Sequence, residues 1–306
     1  MTIGLVPKRG WRNWLSSDAP ATRTQASIGR VWRGGGGLLR EPAAMTGGAI
    51  VLLAALLAIA APLLAPNDPV AQNLARRLLP PGAVGHLLGT DELGRDILSR
   101  LLWGARVTLG IVALVSVVTA PIGLVIGVAA GYAGGFIEAA LMRVTDVFLA
   151  LPRLILALAF VAALGPGIEN AVLAIAIVAW PPYARVARAE TLVLRRAEFI
   201  EAARMAGASP WRLVLRHVLP LCLPSVVVRM SLDMAGVILI AAGLGFLGLG
   251  AQPPTPEWGA MIATGRDYML DHWWVAAMPG IAIAVLSLGF NLLGDGMRDW
   301  LDPKRS

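Results

Sequence analysis

Ala171-Val172-Leu173-Ala174-Ile175-Ala176-Ile177-Val178-Ala179-Trp180-Pro181-Pro182 is the stretch that decides how this chain is laid out. Its apolar part is about half the ~20 residues a membrane-spanning helix needs, and two prolines interrupt it. Five other runs suffice on their own: 45–64, 107–132, 147–164, 226–249 and 275–293. The residues after Pro182 are basic, with seven arginines in 185–216. If 171–180 crosses the membrane, there are six spans and both termini share one side. That side holds seven Lys/Arg in residues 1–44, Arg143, the seven of 185–216 and three at the C-terminus; the other holds five in 65–106 and Arg266. Cytoplasmic loops collect Lys and Arg, and omitting 171–180 would send the seven-arginine loop outside. The expected fold is all-α: six transmembrane helices with both termini cytoplasmic.

The composition agrees. The 306 residues are 57% hydrophobic and 15% charged, with mean hydropathy +0.70, whereas soluble domains carry about 25% charged residues. The net charge of +7 is arginine charge, since only Lys8 and Lys304 are lysines. These arginines adjoin apolar runs, which suits anionic headgroups and orientation in a membrane better than nucleic acid. Cys222 stands alone between Leu221 and Leu223, which excludes a disulfide framework and reads as a small buried hydrophobe. Residues 1–44 carry glycines 34–37 and seven basic residues against two acidic ones. They are expected to form a flexible cytoplasmic tail rather than a cleaved signal sequence.

Small residues recur within the spans: Gly110, Gly123, Gly127 and Gly131 in the second, Gly236, Gly243, Gly245 and Gly248 in the fifth. They let helix backbones approach where lipid supplies no hydrophobic drive for association. Pro121, Pro152, Pro181, Pro182 and Pro279 are places where helices can kink. Residues 65–106 make a long external segment, amphipathic at 94–102, and a second external loop, 251–274, ends in Trp273 and Trp274 at the interface.

The cytoplasmic loop at 185–220 has the most specific pattern. It reads as a helix up to Ala206, with Gly207 at the αL stop. Ser209-Pro210 supplies the N-cap and first residue of a short second helix through His217, and Pro220 and Pro224 end that helix before the fifth span. Such a hairpin suits two roles equally, a docking knob or an amphipathic element lying on the membrane surface.

Glu201-Ala202-Ala203, then Gly207, then Leu219-Pro220 resemble the EAA loop of permease subunits of bacterial ABC importers. Where that pattern usually has isoleucine before the Leu-Pro, this chain has His217 with Val218 beside it. Three further blocks occur in the order of the C-type permease of dipeptide, oligopeptide and nickel importers. They are His86-Leu87-Leu88-Gly89-Thr90-Asp91-Glu92-Leu93-Gly94-Arg95-Asp96 with Ser99-Arg100 and Gly104-Ala105-Arg106; Phe246 through Gly259, including Gln252-Pro253-Pro254-Thr255-Pro256-Glu257-Trp258; and Asn291-Leu292-Leu293-Gly294-Asp295-Gly296 with Arg298-Asp299 and Asp302-Pro303. The resemblance covers about 45–306. It implies that the loop is a coupling helix seated on a separate ATPase. It also implies a second homologous permease subunit, two nucleotide-binding domains, an external substrate-binding protein and a location in the bacterial inner membrane. The expected divisions are the tail 1–44, a first helix with external segment 45–106, and a five-helix core 107–306 containing the coupling loop at about 196–220.

The residues themselves fit that division of labour. The chain has no G-x-x-x-x-G-K-[ST] phosphate cradle, so ATP is expected in partner subunits and no cofactor or metal in this one. His86, His217 and His272 lie in three separate regions, without metal-ligand spacing. Arg229 and Asp233, one helical turn apart in the fifth span, are candidates for an intramembrane ion pair, a partner contact or a pathway lining. Asp146 and Arg153 are expected at the interface. No base accompanies Ser116, Ser287 or Asp233, which argues against an intramembrane enzyme. An ion-coupled carrier using Asp233 would leave the Gly207 turn unexplained. Short peptides are the expected cargo, with glutathione and nickel as alternatives.

Overall fold

The computed structural model describes residues 41–301. The expectations for the tail, including glycines 34–37, and for Asp302-Pro303 therefore fall outside the described residues, apart from 41–44. The described residues contain α1 (Pro42–Ile59), α2 (Ala61–Leu64), α3 (Ile97–Ala133), α4 (Gly135–Ala150), α5 (Arg153–Leu164) and α6 (Ile168–Ala179). There follow α7 (Pro181–Leu194), α8 (Glu198–Met205), α9 (Pro210–Leu213), α10 (Leu219–Phe246), α11 (Trp258–Gly265) and α12 (Trp274–Leu301). Among the described residues, five helical rods are long and apolar enough to cross a membrane, and six if α4 and α5 count as one broken span.

The uncertain stretch belongs to a helix long and apolar enough to cross. Helices α6 and α7 run together as one 27-residue rod, Ile168–Leu194. Trp180 keeps helical dihedrals (φ −69°, ψ −27°), and its carbonyl accepts from Tyr183 N at 3.1 Å and Ala184 N at 3.3 Å. The prolines fall in the first turn of α7, where missing N–H groups cost least. This rod is 67% buried over its apolar window, against 17% for α1. Most of it packs against protein, so its sequence need not be uniformly apolar.

Three expectations are corrected. The third span is not a single helix over 147–164: α4 and α5 meet at 94°. Pro152 lacks a donor and pushes Leu151 into an extended conformation (φ −100°, ψ 143°), which ends α4. The amphipathic stretch at 94–102 is largely the first part of the 37-residue α3, so the expected division at 106/107 falls inside a helix. Finally, Pro220 and Pro224 do not end a helix. A continuous rod runs Pro210–Phe246. At 214–218 it widens into a π turn, in which Leu219 N–H donates to Val214 O. Pro220 lies in the first turn of α10, just beyond that wider turn.

Helices α3 and α7 pack backbone to backbone. A Cβ at Gly123 would lie 2.7 Å from Trp180 O, one at Gly127 would lie 2.7 Å from Ala187 Cβ, and one at Gly131 2.8 Å from Thr191 Cβ. Glycine at every fourth position is what allows this approach. Helices α1 and α12 repeat the device, with Gly289 set against Ile50 and Gly296 against Ala44. Leu52, Leu53, Leu56 and Ile59 of α1 are left exposed, on a face suited to lipid chains.

The segment that precedes α3 is closed by a buried polar network. Asp96 caps α3 through Ser99 N (2.8 Å) and receives His86 Nδ1 at 3.0 Å. Arg95 Nε donates to Asp91 at 2.7 Å and its Nη2 to Glu92 at 2.9 Å. Burial, and then Asp91 beside it, push the Glu92 carboxyl above its ordinary range. Helix α11 is held to α3 by Trp258 Nε1, which donates to Leu101 O at 3.1 Å.

Gly127→Ala is expected to destabilise the protein by ~1–3 kcal/mol, because the methyl has no space in the seam. Gly110→Ala, whose Cβ meets nothing within 4 Å, should be neutral. Thermal unfolding of the two variants in detergent, side by side, checks this.

Candidate functional site

Two features stand out, one at the positively charged end of the bundle and one in its middle. The first is the knob made by α8 and α9. Ile200 is fully buried and packs in a cluster with Leu213, Val218, Val226 and Tyr183. The other faces of the knob are open: Glu201 and Ala202 are exposed, Ala203 is half-buried, and Met205 and Trp211 are 89% and 72% exposed. Gly207 adopts φ +83°, and Ala208 N donates to Ala203 O at 3.1 Å, the bond that closes a glycine-terminated helix. Ser209 then accepts from Arg212 N at 3.4 Å to cap α9. Leu219 is half-buried and Pro220 exposed at the base, where the knob passes into α10.

The helix expected up to Ala206 is interrupted at 195–197, between α7 and α8. Ala197 turns extended there (φ −71°, ψ 140°), and the break is tied to α3 by Arg195. Its Nη1 donates to Tyr132 O at 3.0 Å and lies 3.4 Å from Gly131 O, carbonyls at the C-terminal end of α3. In the sequence Arg195 is one arginine among seven, and nothing local marks it as the residue that joins two helices. The knob is thus tied to α3 through Arg195. It is continuous with α10 through the π turn, and Ser225 of α10 donates to Glu190 of α7 at 2.7 Å.

The second feature is centred on Asp233. Arg229 Nη2 donates to Asp233 Oδ1 at 3.2 Å, and Arg153 Nη1 donates to the same oxygen at 2.7 Å. Tyr183 OH lies 3.4 Å from Oδ2. Asp233 is near the middle of the 28-residue α10, and Tyr183 near the middle of the 27-residue rod Ile168–Leu194, so the cluster sits at mid-height. Arg153, expected at the interface, reaches it from the first residue of α5. Asp146 instead pairs with Arg185 at 2.6 Å, with both side chains about half exposed. The Arg153–Asp233 contact spans eighty residues. Its only sequence signal is an arginine placed directly after a proline at the head of an apolar run. Among the described residues no three His, Cys, Asp or Glu side chains come together as a metal site would require.

Residues 123–306 match the family described as the binding-protein-dependent transport system inner membrane component. The chain belongs to that family. Residues 28–81 match the N-terminal transmembrane domain of oligopeptide transport permease C, which places the chain in the C-type peptide-permease branch. The probable D,D-dipeptide transport system permease protein DdpC of Escherichia coli K12 is 48% identical, over 95% of this chain and 97% of its own length. The di/tripeptide permease DppC of Pseudomonas aeruginosa UCBPP-PA14 is 48% identical over 85% of this chain and 88% of its own. A chain of the inward-facing MetNI methionine ABC transporter superposes with TM-score 0.54 at 21% identity, covering 67% of this chain and 98% of its own; this likeness shows the fold. The protein is an integral membrane permease subunit of an ABC importer.

Asp233→Asn strands two guanidiniums at mid-height without a counter-charge, and should cost about 3 kcal/mol. The thermal midpoint in detergent should fall clearly below that of Asp233→Glu, which keeps the charge.

Proposed function

We propose that this chain forms half of the translocation pathway for short peptides in an ATP-driven importer, and that residues 198–220 deliver the work of a separate ATPase to the bundle. The observation that carries the coupling reading is continuity. The exposed knob is anchored by Ile200 and Leu213, and its second helix, α9, is the first turn of the rod Pro210–Phe246, joined to α8 by the Gly207 turn. A push on the knob is therefore a push on a transmembrane rod, the kind of rigid-body input that alternating access needs. Glu201, Ala202, Ala203 and Gly207 shape the surface offered to the ATPase, while Leu219 and Pro220 form its base.

The partners proposed are a second homologous permease, two nucleotide-binding subunits that hold the ATP, and an external substrate-binding protein. ATP hydrolysis and the cofactor chemistry belong to those partners. The location is the bacterial cytoplasmic membrane, with both termini on the arginine-rich side. The named relatives transport dipeptides or tripeptides, which supports peptides over glutathione or nickel as cargo.

Gly207→Val tests the coupling. A β-branched residue at φ +83° costs about 1–2 kcal/mol and reshapes the turn. Uptake of a labelled dipeptide by cells should be lost, while membrane insertion and co-purification of the second permease persist. Uptake at the wild-type rate would sink the coupling role.

A further inference from the structure

The Asp233 cluster has a charge surplus. Two guanidiniums share one carboxylate oxygen, and Asp233 is the ion-pair partner found for each of them among the described residues. The side chain of Asp233 is 3% exposed, but those of Arg153 and Arg229 are 26% and 35% exposed. The carboxylate is thus enclosed, while both arginine side chains keep part of their surface open. Each guanidinium carries five N–H donors, of which one from Arg153 and one from Arg229 are engaged with Asp233. Arg229 Nε is buried without a hydrogen-bond partner.

An uncompensated positive charge at mid-height is too costly to face hydrocarbon, so this open surface must look onto water or onto an anion. Planar guanidinium forks favour carboxylate geometry over that of other common anions except phosphate. Arg153 adds a second bias, since it opens α5, whose N-terminus has no side-chain cap. The first N–H groups of a helix broken at membrane depth turn the positive end of its dipole toward the same place. Tyr183, a neutral phenol, faces the enclosed carboxylate from α7.

We propose that Arg153 and Arg229 form a mid-membrane carboxylate site that takes the C-terminal carboxylate of the cargo peptide during passage. This rests on the peptide-importer reading above and adds to it a specific station on the path. Asp233 keeps the pair positioned and limits its net charge to a single unit. A passing carboxylate is held well enough to enter and weakly enough to leave.

The test uses the complete importer in proteoliposomes, with its binding protein saturated by di-alanine or by di-alanine amide. Arg153→Gln is the informative variant, because it leaves Arg229 and Asp233 as a neutral pair that can still fold. It should cut di-alanine uptake about tenfold more than it cuts uptake of the amide, the loss expected for one charge-assisted contact. ATP hydrolysis stimulated by the loaded binding protein should persist, and Arg153→Lys should recover part of the uptake. Equal effects on free and amidated peptide overturn the site, as does loss of the second permease from the purified Arg153→Gln complex, which would assign the charge to a partner acid. Absence of peptide uptake by the wild-type importer overturns the peptide reading and the site with it; unchanged di-alanine uptake in Arg153→Gln overturns the site alone.

Discussion

The close approach of α3 and α7 is the contact on which the rest depends. In lipid, apolar surface gains nothing by leaving one hydrocarbon for another, so helices associate through dispersion at short range. Gly123, Gly127 and Gly131 supply that range, because a Cβ at any of them would collide with α7. Once α7 is seated, its polar groups reach their partners. Tyr183 comes to Asp233, Arg188 to Glu138, Glu190 to Ser225 and Arg195 to the last carbonyls of α3. The seam therefore places both the mid-height cluster and the root of the knob.

Much of this was legible in the sequence, for reasons that can be named. Charge asymmetry across the loops depends only on counting, and it placed 171–180 in the membrane when hydropathy was indecisive. The knob was legible because αL glycine, an N-cap serine and an N1 proline are local signals, and Gly207, Ser209 and Pro210 adopt those roles. Where the outcome turned on neighbours, local signals failed. Pro152 and Pro220 look alike as helix breakers. One breaks its span at 94°, while the other is carried past by a π turn in a rod packed against α3.

The partner of Asp233 shows the same limit. Arg229 was visible at one-turn spacing along a single helix. Arg153 makes the shorter contact, at 2.7 Å, yet belongs to a helix eighty residues away whose direction is set by a 94° bend that was itself unforeseen. Arg195 was hidden for a related reason, since its target is a pair of backbone carbonyls, which carry no residue-type signature.

The rod Pro210–Phe246 has a mechanical consequence. At 1.5 Å per residue its 37 residues make a beam roughly 55 Å long, and Arg229 and Asp233 lie near its midpoint. Arg153 and Tyr183 grip the beam there, from two other helices. A beam held at its centre behaves as a lever on a pivot: tilting it by about 10° would swing each end by roughly 5 Å, while the middle scarcely moves. Large strokes at the two membrane faces and a stationary charged cluster between them are then two aspects of the same geometry.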